Sequence, residues 1–86
     1  MKVHIPGPLR SYTSGAARVE IPGETVAAVL AELDRRYPGM RFRIIDEQDR
    51  VRTHIKVFVN ADSIEDLSRV LAGGDELTII CALSGG

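Results

Sequence analysis

Met1, Val3 and Ile5 alternate with Lys2 and His4, the period-two pattern of a half-buried strand, and Pro6-Gly7-Pro8 stops it by removing two ladder donors. After the Ser14-Gly15 turn, Val19 and Ile21 alternate with Arg18 and Glu20 until Pro22-Gly23 ends that run. Two strands so near in sequence predict an antiparallel hairpin, with Lys2 and Glu20 facing each other on its outer surface. Thr25 is then a good N-cap. Val26, Val29, Leu30, Leu33 and Tyr37 fall on one face of the helix that follows, a stripe that must bury against something. Ala27, Ala28 and Ala31 favour the helical state, Glu32 and Arg36 sit four apart on its exposed side, and Pro38-Gly39 terminates it.

From Met40 to Arg52, two short segments flank the polar turn Asp46-Glu47-Gln48-Asp49, which predicts an irregular hairpin. Ile55, Val57 and Val59 alternate with Lys56 and Phe58, and Asn60-Ala61-Asp62-Ser63 makes the turn after that strand. Ile64 to Leu71 reads as a helical turn or two. Gly73-Gly74-Asp75 breaks the chain before Leu77, Ile79 and Cys81 alternate with Thr78, Ile80 and Ala82 in a final strand. The order strand, strand, helix, hairpin, strand, strand is one helix against one sheet, an α+β two-layer domain. Its core is predicted from Val3, Ile5, Val19, Ile21, Val26, Val29, Leu30, Leu33, Ile55, Val57, Val59, Leu71, Leu77 and Ile79.

A length of 86 residues predicts a single domain over residues 1–86, and 44% hydrophobic against 27% charged residues is an ordinary globular balance. A net charge of −1 leaves no basic excess to drive counterion release, so nucleic acid and anionic membranes are poor partners. The single cysteine cannot close an intrachain disulfide, which suits a reducing, cytoplasmic setting. The N-terminus carries no apolar signal core, and the longest apolar run, Val26 to Ala31, is far short of a membrane span.

Intrinsic catalytic chemistry is hard to assemble from these residues. Cys81 or a serine would need His4 or His54 as a base, and no spacing forms a known dyad. His4 points outward by parity and His54 precedes a strand, so both read as solvated structural residues. Cys81 shares the inward parity of Leu77 and Ile79 and reads as a small buried hydrophobe. Two histidines and one thiol are a thin supply of metal ligands, and no metal site is predicted. Gly73-Gly74-Asp75 is too short and too acidic to cradle phosphate. Arg41, Arg43, Arg50 and Arg52 make either a patch for an acidic partner or the solvated face of a hairpin.

The C-terminus differs from the rest. After the last strand the chain reads Leu83-Ser84-Gly85-Gly86, and two residues without Cβ leave a thin tail that can thread a channel closed to any side chain. Five extended residues from Ala82 to Gly86, at about 3.4 Å each, reach about 17 Å beyond the fold, enough to place the terminal carboxylate in another protein's active site. The plain alternative is a frayed polar terminus.

Ile5-Pro6 with Leu9-Arg10, Gly23 and Thr25 opening the helix, Tyr37-Pro38-Gly39 closing it, Phe58-Val59-Asn60, Leu71 with Gly74-Asp75-Glu76-Leu77, and the terminal Leu83-Ser84-Gly85-Gly86 follow one another in a characteristic order. In this order the whole chain resembles the ubiquitin-like β-grasp sulfur carriers, the family of MoaD, ThiS and CysO. The resemblance implies a mixed sheet packed on one main helix, with residues 83–86 as a flexible tail. It further implies that an E1-like enzyme uses ATP to adenylate the carboxylate of Gly86, with Gly85 as spacer and Ser84 and Leu83 completing the tail. The adenylate would become a thiocarboxylate that donates sulfur to a synthase, in molybdopterin or cysteine biosynthesis. The chain would then be a protein cosubstrate with no bound cofactor, or the small subunit of a synthase. By analogy with ubiquitin-like proteins, the outer sheet face docks partners. Parity places Phe58, Ile80 and Ala82 there, and Leu9 follows the first strand. The segment Met40 to His54 looks more like the cysteine-biosynthesis branch than the shortest thiamine carriers. Three alternatives stay open: a ubiquitin-like modifier joined to lysines through Gly86, a β-grasp interaction domain with an inert tail, and a small redox enzyme using Cys81.

Overall fold

The computed structural model describes residues 1–82. Five strands, β1 (Lys2–His4), β2 (Arg18–Glu20), β3 (Ile55–Val59), β4 (Asp62–Ile64) and β5 (Glu76–Cys81), form one mixed sheet in the order β2-β1-β5-β3-β4. The main helix α1 (Val26–Arg36) and the short helix α2 (Met40–Ile44) supply the second layer. This is the β-grasp arrangement. β5, the last strand in sequence, lies in the middle, parallel to β1 and antiparallel to β3. The predicted hairpin pairs Lys2 with Glu20 and Val3 with Val19.

Helix α1 forms as its sequence dictates. The Thr25 side chain accepts the Ala28 N–H at 3.1 Å, and Val26, Val29, Leu30 and Leu33 are fully buried beneath the helix. Two more orphan donors of the first turn are met by the loop after β4: Val26 N–H donates to the Arg69 carbonyl and Ala27 N–H to that of Leu67. Tyr37-Pro38-Gly39 ends the helix, with Gly39 at φ +96°, a left-handed value that any other residue would adopt at a cost. Asp34 then accepts from the N–H groups of Gly39 and Arg41 and opens α2.

Three elements differ from the sequence prediction. The first arm of the irregular hairpin is helix α2, which buries Met40 and Ile44 completely; only Ile45 and Val51 pair as a hairpin around the Asp46–Asp49 turn. Here a helical spacing of four outweighed the β-rich composition of Phe42-Arg43-Ile44-Ile45. The turn after β3 is confined to Asn60 and Ala61, because Asn60 adopts φ +54° and its amide bonds Asp75 and the Glu76 N–H. Asp62–Ile64 is therefore free to pair as β4, and among the described residues no helix follows Ile64; Leu67 and Arg69 serve instead as the acceptors that seat α1. Gly7–Thr13 forms a 3-10 helix, which drives Leu9 into the core at 5% exposure. The predicted core otherwise forms as read, with Leu9, Met40, Ile44, Ile45 and Ile64 added, and with Val19 and Leu71 only half-buried at its edge.

Candidate functional site

The central strand leads to the C-terminus. Ile55 stands opposite Cys81 across the β3–β5 ladder, and the ladder closes with the Ala82 N–H donating to the His54 carbonyl at 2.7 Å. The chain beyond Ala82 thus leaves from the middle of the sheet, anchored by backbone bonds on a strand flanked on both sides. The predicted tail residues Leu83, Ser84, Gly85 and Gly86 lie outside the described residues.

Of the four residues expected on the docking face, three lie on the outer side of the sheet and one does not. Phe58 pairs with Thr78 on β5 and Ser63 on β4, and is half-buried among them. Ile80, opposite Lys56, is 43% exposed, and Ala82 is exposed two residues further along the same face. Thr78 lies between Phe58 and His4 in register, so the apolar strip runs diagonally across β3 and β5. Leu9 is the exception. The 3-10 helix turns its side chain into the core, so it supports the fold beneath the strand end and only borders the groove that Phe42 and Cys81 line.

The same face carries His4, whose Nε2 lies 2.6 Å from Glu76 across the β1–β5 pair. That hydrogen bond, then the charge of Lys2, holds the Glu76 carboxyl below its usual range. His4 is thus tied to a surface carboxylate rather than to a nucleophile among the described residues. Cys81 is half-buried, packed against the core, and burial pushes its thiol up, with the charge of Arg43 opposing weakly. A thiol that holds its proton more firmly is a weaker nucleophile at neutral pH, which counts against a redox reading of Cys81.

Two grooves flank the end of β5, and both are lined by Pro8 and Cys81. On one side, a half-open groove of about 360 Å³ is lined by Phe42, Arg43, Arg52 and His54; on the other lie Arg10, Arg18 and Ile80. The four arginines of the Met40–Arg52 segment do not act as one patch. Arg41 is engaged by Asp49, whereas Arg43 and Arg52 come together on the first groove. Sequence reasoning did not join these two to Arg10 and Arg18, because the parallel β1–β5 pairing that brings the segments together leaves no local signal. Among the described residues no group of three or more His, Cys, Asp or Glu could hold a metal ion, and no helix is long and apolar enough to cross a membrane.

Residues 3–86 match the ThiS family. The chain belongs to that family. It is 33% identical to sulfur carrier protein CysO of Mycobacterium tuberculosis (strain ATCC 25618 / H37Rv), over 98% of this chain and 96% of the relative. A chain of the Amycolatopsis orientalis BexX/CysO complex superposes with a TM-score of 0.90 at 33% identity, covering 99% of this chain and 98% of that one. The small archaeal modifier protein 1 of Methanosarcina acetivorans follows the same fold, with a TM-score of 0.80 at 28% identity over 99% of this chain and 94% of its own. The ThiS-family chain described here is thus close to the CysO sulfur carriers along almost its whole length, and such proteins are carriers rather than catalysts.

Proposed function

We propose that this chain is a sulfur carrier of the cysteine-biosynthesis type, acting through the carboxylate of Gly86. One observation carries the reading: the central strand β5 delivers the chain at Ala82 directly into Leu83-Ser84-Gly85-Gly86, in a member of the ThiS family. A carboxylate is a poor electrophile. An E1-like partner using ATP converts it to an acyl adenylate as the carboxylate oxygen attacks the α-phosphate and pyrophosphate leaves. Hydrosulfide then attacks the acyl carbon, AMP leaves with the bonding pair, and a thiocarboxylate remains on Gly86. A synthase takes the sulfur from there. The acid–base groups for these steps belong to the partners, in keeping with a surface on which His4 and Cys81 are engaged structurally.

The apolar strip of Phe58, Ile80 and Ala82 is the docking face for these partners, since contiguous exposed apolar groups mark interfaces. The setting is cytoplasmic, where ATP and sulfide donors are present, and the chain carries no cofactor of its own. Intact mass after incubation with ATP, sulfide and an adenylating enzyme from the same cell tests the reading. One oxygen-to-sulfur exchange located at Gly86 supports it; an unchanged mass with a demonstrably active enzyme overturns it. On the same assay, full activation of Phe58→Asp would remove the docking face from the proposal.

A further inference from the structure

We propose that the end of the sheet from which β5 leaves is a basic collar that docks a ring of carboxylates around the partner opening that receives the C-terminus. The inference rests on the sulfur-carrier reading and adds the chemistry of the partner surface. The chain has a net charge of −1, so any basic surface on it must be local. Around the end of β5, Arg43 and Arg52 line one groove and Arg10 and Arg18 the other, with Glu47 as the one carboxylate among the described residues that lines either groove. Among the described residues none of these four arginines is in an ion pair, while Arg52 and Arg18 act at longer range on the carboxylates of Asp46 and Glu76. At the opposite end of the strands, the carboxylates of Glu20, Asp62 and Glu76 are engaged by the N-terminus, Arg69 and His4.

Two of the collar arginines are already positioned. Arg10 Nε donates to the Ile5 carbonyl at 3.0 Å, and Arg52 Nε donates to the Phe42 carbonyl at 2.7 Å while its guanidinium lies 4.5 Å over the Phe42 ring. Each side chain is held by its inner nitrogen, so less freedom is lost when the terminal nitrogens bind. The cations stand on both sides of a strand and do not converge on one pocket. That geometry fits carboxylates distributed around an opening better than a single phosphate. It also solves a problem of sign: an acidic rim would repel a bare C-terminal carboxylate, and a surrounding positive field reverses the repulsion and steers the approach.

The test titrates the full-length, ¹⁵N-labelled chain with a decaglutamate peptide at low salt and follows backbone amides. Shifts confined to Arg10, Arg18, Arg43, Arg52, His54 and Cys81, and lost at high salt, support the collar. Absent shifts, or shifts elsewhere, overturn it; equal shifts with AMP would make it a phosphate site and overturn it as well. Arg18→Gln combined with Arg43→Gln changes two side chains that make no hydrogen bond among the described residues and adds no new charge, so a nearly unaltered melting temperature is expected alongside peptide binding weakened about tenfold. Undiminished binding would overturn the proposal. With the adenylating enzyme, the double variant should raise KM several-fold and leave kcat unchanged. If sulfur still appears on Gly86 while KM is unmoved, the collar fails and the carrier function stands.

Discussion

The Ala82 N–H and the His54 carbonyl, 2.7 Å apart, make the last described rung between β5 and β3, and this bond fixes where the tail begins. Ala82→Pro removes the donor, and Cys81 is already in the extended backbone that a following proline requires. The ring also crowds the His54 carbonyl, which must give way slightly at the strand end. We expect a destabilisation of about 1 kcal/mol in urea denaturation with an unchanged m-value. In the parent, the Ala82 amide should exchange with solvent more slowly than an unbonded exposed amide.

Leu9 separates a structural role from a docking role. A surface leucine that meets partners could become alanine with little effect on folding. Leu9 instead plugs the core from the 3-10 helix, so Leu9→Ala should cost about 2–5 kcal/mol. Phe58→Ala, on the outer face, should cost distinctly less, because its partners Thr78 and Ser63 are polar and the side chain is only half-buried. Paired denaturation curves decide between the two roles.

What the sequence disclosed follows the range of each signal. Helix α1, with Thr25 before a stripe of apolar residues and Pro38-Gly39 after it, was legible because capping and periodicity act within a few residues. The β1–β2 hairpin and the outward parity of Phe58, Ile80 and Ala82 were legible for the same reason. Leu9 was not, since Pro6-Gly7-Pro8 announces a break without saying that a 3-10 helix follows and turns inward. Nor was α2, where five residues offer one turn of periodicity and Phe42 and Ile44 favour strands by composition. The segment after Ile64 was misread because its backbone satisfies another element, the first turn of α1, and that contact has no imprint in its own spacing. The two grooves beside Cys81 needed the tertiary pairing itself.

Gly23 provides a steric test of the loop that enters α1. A Cβ there would meet Val29 Cγ2 at 2.7 Å and the Val29 backbone N at 2.8 Å. The valine cannot retreat, because its N–H donates to the Thr25 carbonyl at 3.0 Å and its side chain is fully buried. Gly23→Ala should therefore destabilise by about 1–3 kcal/mol through overpacking. Gly7→Ala, where a Cβ meets nothing within 4 Å, is the control and should leave the melting temperature nearly unchanged.

Acid should lower the stability of the protein modestly through its hydrogen-bonded surface carboxylates. Bonds from Arg35 and Arg36 lower Glu32 from 4.5 to about 2, and the His4 hydrogen bond, then Lys2, lowers Glu76. A carboxyl that binds its proton more weakly in the folded state leaves the unfolded state holding more protons in acid, so stability falls as pH falls. For Glu32 the contribution is fully present above about 4.5 and is lost progressively down to about 2. The urea midpoint should drop across that window, and Glu32→Gln should flatten the slope. His4→Ala tests the second site directly: without a side-chain donor there, the Glu76 side-chain carboxyl, followed by ¹³C NMR, should titrate closer to the ordinary glutamate range. An unmoved Glu76 titration would show that Lys2 and the other nearby charges, rather than the cross-strand bond to His4, hold it down.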